Sequence, residues 1–240
     1  MNDWRRTISS EETKMDRPRI LLTGADGTIG TAVHAELSGS GAEVITLGHQ
    51  PGPMIDLVAN FASDDDLGQA IGSITPSLDG LVFAHGMLEP GPVDRVPPVA
   101  WRHMLDMNLN SIYTIIHASL ERLAENASIV IVSSTAAFDH SPVGGPHYSV
   151  SKWALSGLVR HLADDLGPRG IRVNSVCPGT VEGPMARALL GEPDYLASLQ
   201  GIPLRRAADA SEIADVVSFL LSRKASYATG ANIPVSGGYR

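Results

Sequence analysis

The chain has 240 residues, a mass of 25.3 kDa and 43% hydrophobic residues, enough to fill one sizeable core or two small ones. No apolar run approaches the length of a membrane span, and a net charge of -8 argues against a nucleic-acid or anionic-membrane surface. A single cysteine, Cys177, allows no internal disulfide, and residues 1–17 are polar, charged and without the apolar core of a signal peptide, so a cytoplasmic protein with a flexible N-terminal tail ahead of one domain at 18–240 is expected.

Residues 20–23 are a short apolar strand candidate, followed by TGADGTIG over residues 23–30 and a helical pattern of Ile29, Val33 and Leu37. Strand, glycine turn and helix make a phosphate site credible. Without side chains at Gly24, Gly27 and Gly30 the backbone can approach a pyrophosphate, and the helix start offers free N–H groups. The plainer alternative is a tight strand-to-helix turn. Residues 41–48 read as a second strand ending in Leu47-Gly48-His49, without the Asp or Glu that accepts from a ribose 2′-hydroxyl in NAD-preferring sites. Nothing there repels a 2′-phosphate, so NADP(H) is preferred and NAD(H) possible, with His49 either a phosphate partner or a plain turn residue. Residues 50–53 are too few for a crossover helix before a third strand at 54–57, with Asp56 at its end. Asp64, Asp65 and Asp66 behind Ser63 read as a capped helix start rather than a metal cluster. No histidine pair has metal-ligand spacing, and no metal is expected.

Residues 81–84 form a fourth strand leading into Ala84-His85-Gly86. Residues 101–123 read as one long helix, with Leu105, Leu109, Ile112, Ile116, Leu120 and Leu123 on one stripe and Asn108 breaking the pattern of its neighbours. Residues 129–132 are a buried, β-branched strand ended by Ser133-Ser134. A loop then leads to a helix that carries Tyr148 and Lys152 and stops at Gly167-Pro168. Four residues apart on a helix, Tyr148 and Lys152 share a face one turn apart. A nearby positive charge favours phenolate, which suits moving a proton on and off an oxygen that the Ser134 hydroxyl would hold. Tyr-x-x-x-Lys alone is also a common exposed helix pair. Residues 171–176 are a further strand within RVNSVCPGTV. Residues 182–204 mix Met185, Leu189, Leu190 and Tyr195 with glycine and proline and read as a mobile apolar lid. Asp209 and Glu212 frame a capping box, and residues 231–235 close the sheet. Strands alternating with helices imply a doubly wound parallel sheet.

From about residue 19 to residue 239 the chain resembles the classical short-chain dehydrogenase/reductase family, whose catalytic pattern is a strand, Ser, a loop and Tyr-x-x-x-Lys. The resemblance implies an α/β, Rossmann-like single domain and an NAD(P)-dependent oxidoreductase that interconverts a ketone or aldehyde with an alcohol. It also implies a homotetramer or homodimer packed through long helices. By that resemblance Tyr148 is the general acid or base and Ser134 orients the reacting oxygen. Lys152 lowers the tyrosine pKa and holds the nicotinamide ribose, while Asn108 orders a water leading to Lys152. Gly24, Asp26, Gly27, Thr28, Ile29 and Gly30 surround the phosphates, and Asp56 contacts adenine. Ala84, His85 and Gly86 flank the cofactor, and Pro178, Gly179 and Val181 approach the nicotinamide.

Several positions depart from the family pattern. Thr28 stands where the second glycine of Thr-Gly-x-x-x-Gly-x-Gly is expected, Ala84-His85-Gly86 replaces Asn-Ala-Gly, and Gly183 replaces a usual threonine. Ser134 lies 14 residues before Tyr148, one more than usual, which places an insertion within 138–145 and leaves Ser133 as the alternative. Two other functions fit the same residues. One is a nucleotide-binding regulator without turnover, and the other an epimerase or dehydratase with tightly held cofactor. Trp153, His147 and the lid point to an apolar or ring-containing carbonyl substrate.

Overall fold

The computed structural model describes residues 17–239; residues 1–16 of the expected tail lie outside the described residues. Seven parallel strands, β1 Arg19–Thr23, β2 Glu43–Gly48, β3 Leu57–Val58, β4 Leu78–Phe83, β5 Leu123–Val132, β6 Arg172–Pro178 and β7 Asn232–Val235, form one sheet in the order β3-β2-β1-β4-β5-β6-β7. The central strands are apolar on both faces because both are covered. Leu21, Leu81, Ile129 and Val173 pack against α2 Asp64–Gly72, α4 Ser111–Ser119 and α5 Pro146–Leu166. Leu22, Val82, Val130 and Val176 pack on the opposite face against α1 Thr28–Gly39 and α8 Ala210–Leu221. Strand order reverses between β1 and β4. In such sheets the crevice outside the carboxyl ends of the strands at this switch is where ligands bind.

The third strand is shorter and later than the sequence suggests. It pairs only through Leu47 with Leu57 and Gly48 with Val58. The chain therefore never returns to the base of the sheet. It drops a few residues in a hook over 49–56 and climbs again, so no crossover helix is needed. Asp56 stands ahead of this strand, not at its end. Its Oδ2 accepts from the Thr46 N–H and hydroxyl, both at 2.8 Å, while its own N–H donates to Thr46 Oγ1 at 2.8 Å.

The long helix expected at 101–123 is also divided. It consists of α3 Pro98–Leu105, a π turn at Asp106–Asn110, and α4, after which Leu123 already opens β5. The leucine periodicity runs on because Leu120 at the helix end and Leu123 at the strand start serve the same core layer. The expected lid is two short helices, α6 Pro184–Leu190 and α7 Glu192–Leu199. In α7 Tyr195 is fully buried and donates its hydroxyl to Glu182 at 2.7 Å. The expected caps are present. Ser63 accepts from the Asp66 N–H at the start of α2, and Asp209 with Glu212 forms a capping box on α8.

Candidate active site

Two adjacent elements bring the proton-handling groups together. β5 delivers Ser134 in extended backbone at its carboxyl end, where its hydroxyl accepts from the Ala136 N–H at 3.1 Å and starts a short turn. α5 begins on Pro146, pre-set for the first helical position, and carries Tyr148 and Lys152 one turn apart. Both are buried, and the Lys152 Nζ lies 5.7 Å from the centre of the Tyr148 ring. Burial pushes the Tyr148 phenol above its ordinary range, and a hydrogen bond with Ser134 draws it partly back. Burial likewise pushes the Lys152 ammonium down to about 8, opposed by the nearby Cys177. Of the two serines, Ser134 is the one whose hydroxyl acts on the phenol's pKa. The Ser133 hydroxyl is buried and has no hydrogen-bond partner among the described residues.

Asn108 sits in the π turn, fully buried. Its Oδ1 accepts from the Met87 N–H at 2.8 Å, and its Nδ2 donates to Met87 O at 2.9 Å and Ser151 Oγ at 3.1 Å, so the amide clamps the chain just beyond β4. Gly86 precedes that clamp. A Cβ there would lie 3.4 Å from Asn108 Oδ1 and 3.5 Å from Lys152 Nζ, so the two groups converge beneath one point of open backbone.

The glycine turn divides by purpose. Gly24 has φ +71, and a Cβ on it would meet the His85 N at 2.6 Å; Gly30 would meet Gly24 O at 1.8 Å. Both are glycine for internal packing. Gly27 is not: a Cβ there meets only Gly24 O at 3.4 Å, an ordinary contact. Its want of a side chain instead keeps clear the start of α1, which has no side-chain cap. Uncapped N–H groups at Thr28 and Ile29 beside a cleared backbone fit a pyrophosphate. Asp26 and Thr28 are exposed at this mouth and Ile29 half-buried.

His85 serves the site differently from the expectation. Its imidazole turns into the fold, with Nδ1 2.5 Å from Thr23 Oγ1 and Nε2 2.9 Å from Ser111 Oγ. The Ser111 hydroxyl donates to Met107 O at 2.8 Å, so it accepts from Nε2–H, and Nδ1 accepts from Thr23. Burial and the charge of Lys152 push the ring down to about 3, which keeps it neutral. His85 is a strut between the end of β1 and the start of α4, and only its backbone, with Ala84 and Gly86, lines the crevice.

Asp56 is engaged with Thr46 ahead of β3 and does not stand at that strand's carboxyl end. The residues leaving the carboxyl end of β3 are Ala59, Asn60 and Phe61. Phe61, overlooked in the sequence, is buried edge-on to His85 at 4.7 Å and to His49 at 6.3 Å. The Ser63 cap was the signal that could have found it, since a strand end must immediately precede that cap. His49 is exposed at the end of β2. On the far side, Pro178 ends β6, the Gly179 N–H donates to Val235 O at 3.1 Å, and Val181 bridges to Ala208.

A cavity opens beside Ser134, lined by Thr135, Asp139, His140, Ser141 and Tyr239. Neither ring expected at the substrate lines it. Trp153 is half-exposed and donates from Nε1 to Asp139 O at 3.2 Å, and His147 is buried with Nε2 3.8 Å from Glu89. Among the described residues there is no cluster of metal-ligating side chains and no helix long and apolar enough to cross a membrane.

A family model described as enoyl-(acyl carrier protein) reductase matches residues 47–240. The chain is 34% identical to Protein FixR of Bradyrhizobium diazoefficiens, over 97% of this chain and 91% of that protein. A short chain dehydrogenase family protein from Francisella tularensis superposes with a TM-score of 0.86 at 30% identity, covering 93% of this chain and 99% of that one. A 3-oxoacyl-[acyl-carrier protein] reductase from Brucella melitensis with bound NAD gives a TM-score of 0.84 at 27% identity, covering 94% and 92% respectively.

Proposed function

Because the chain belongs to the short-chain dehydrogenase/reductase family, we propose that it is an NADP(H)-preferring oxidoreductase that interconverts a ketone or aldehyde with an alcohol. The observation that carries this reading is the convergence of Ser134, Tyr148 and Lys152 at the carboxyl edge of the sheet, with Asn108 and Lys152 meeting beneath Gly86.

A bound nicotinamide dinucleotide supplies or takes up the hydride. In the reducing direction Tyr148, kept protonated by burial, gives its proton to the carbonyl oxygen that Ser134 orients. The Lys152 ammonium holds the nicotinamide ribose and stabilises the phenolate as it forms. Asn108 retains one acceptor position on Oδ1 beyond its clamp on Met87, suited to a water that reloads the proton through Lys152. General acid catalysis of this kind supplies about 10²- to 10⁴-fold, with positioning providing much of the rest.

The NADP(H) preference rests on the end of β2, where Leu47, Gly48 and His49 offer no carboxylate to a 2′-phosphate. NAD(H) is the alternative, and the Brucella melitensis relative carries NAD. The polar lining beside Ser134 favours a compact, polar substrate over the apolar one expected from Trp153 and His147. Exposed Tyr113 on α4 with Val150 and Trp153 on α5 supports a homodimer or homotetramer built on those helices.

Titration with NADPH and NADH, followed by quenching of tryptophan emission, tests the reading together with Tyr148→Phe. Tighter NADPH binding is expected. The variant should bind the dinucleotide as the parent does while losing about 10³-fold in turnover. Unchanged turnover in Tyr148→Phe would overturn the mechanism, and tighter NADH would overturn the cofactor preference.

A further inference from the structure

Two departures from the family pattern, 155 residues apart in sequence, meet in space. Thr28 is the first residue of α1, and its side chain is exposed where the uncapped helix start faces the crevice. Gly183 follows β6 on the other side and directly precedes α6. Its backbone is extended, with φ 164 and ψ 169, a conformation any residue adopts, so chain geometry does not require glycine there. Space does. A Cβ at position 183 would lie 3.2 Å from Thr28 Oγ1 and 3.3 Å from Thr28 Cγ2, tighter than most such contacts, before any larger side chain is added.

The two departures have opposite senses. At 28 a threonine replaces an expected glycine, and at 183 a glycine replaces an expected threonine. A single hydroxyl-bearing, branched side chain fills the gap between the turn after β1 and the loop after β6, and it can be attached to either wall. Threonines on both walls would collide, and glycines on both would leave the gap open. The polar group in the gap lies against the first turn of α1, whose N–H groups and dipole favour an anion.

Resting on the oxidoreductase reading, we propose that Thr28 is a cofactor-binding residue in this chain. Its hydroxyl donates to the dinucleotide's pyrophosphate, supplying from the helix start the hydroxyl that position 183 lacks. The Thr28–Gly183 pair is then a reciprocal exchange, not two independent losses, and the altered glycine turn does not weaken the pocket.

A double-mutant cycle tests this on the full chain, with Thr28→Gly, Gly183→Thr and the two combined. The dissociation constant for NADPH, or for NADH should that bind more tightly, is read from tryptophan quenching, and the melting temperature is read without dinucleotide. Thr28→Gly should weaken binding about tenfold, as expected for one hydrogen bond to a charged group. Gly183→Thr should weaken it too, by crowding Thr28, and the double variant should return to within about threefold of the parent. The inference fails if Thr28→Gly binds like the parent, or if the double variant is no better than the poorer single one. It also fails if the two positions couple in melting temperature but not in affinity, which would mark simple packing. A parent protein that binds neither dinucleotide would instead sink the oxidoreductase reading itself, before any variant is compared.

Discussion

Lys152 holds an ammonium group at 4% exposure, and burial moves its pKa from an ordinary 10.5 to about 8. That displacement is also a charge against stability. Below about pH 8 the folded state carries the buried charge and its full cost. Between 8 and 10.5 the folded state binds fewer protons than the unfolded one, so this group's penalty shrinks as pH rises and is gone above 10.5. Lys152→Met should therefore abolish turnover yet stabilise the fold at pH 7 by on the order of 3 kcal/mol, the value of such a shift, with the gain fading towards pH 10. Denaturant unfolding at both pH values checks this, and an equal gain at each would contradict it. The serine, tyrosine and lysine were legible in the sequence because a strand end and one helical turn are local properties. The role of His85 was not. Its partners Thr23 and Ser111 lie 62 and 26 residues away, and no periodicity reports that distance.

Among the elements, the glycine turn, the central strands and the two caps could be read directly, since each follows from residues within a few positions of one another. Sequence and structure part where two elements share one layer of core or where pairing substitutes for length. Leu123 continued a helical stripe while belonging to a strand, and the third strand was drawn toward Asp56 although the fold uses that residue before the strand begins. The three hydrogen bonds between Asp56 and Thr46 stand in for the ladder that a longer third strand would have made. Asp56→Ala should consequently destabilise the protein by about 2 kcal/mol, within the range for hydrogen bonds to a charged acceptor, and leave dinucleotide affinity untouched. Thermal unfolding beside a NADPH titration separates the two; a loss of affinity at unchanged stability would return Asp56 to the adenine site. The π turn was equally hidden. It shows as the Ser111 N–H reaching back to Asp106 O, a widening that side-chain spacing barely registers.

At the scale of the molecule, the sheet order fixes a direction for anything bound along its carboxyl edge. β1 and β4 flank the switch, β5 leads to Ser134 on one side of it, and β2 with its two-residue neighbour forms the opposite end. A dinucleotide reduced or oxidised at Tyr148 must point its adenosine toward that end. There the hook over 49–56 replaces a covering helix, and His49, Gln50, Pro51, Gly52 and Pro53 are all exposed. The adenine of a bound dinucleotide would thus lie at a low rim, not under a roof, and a tether leaving its exocyclic amine would run straight into solvent. Beads carrying the cofactor through that amine should retain the protein and release it to free dinucleotide, whereas beads attached through the nicotinamide ribose should not hold it. The short hook would then make the enzyme easy to isolate, immobilise and recycle by its own cofactor.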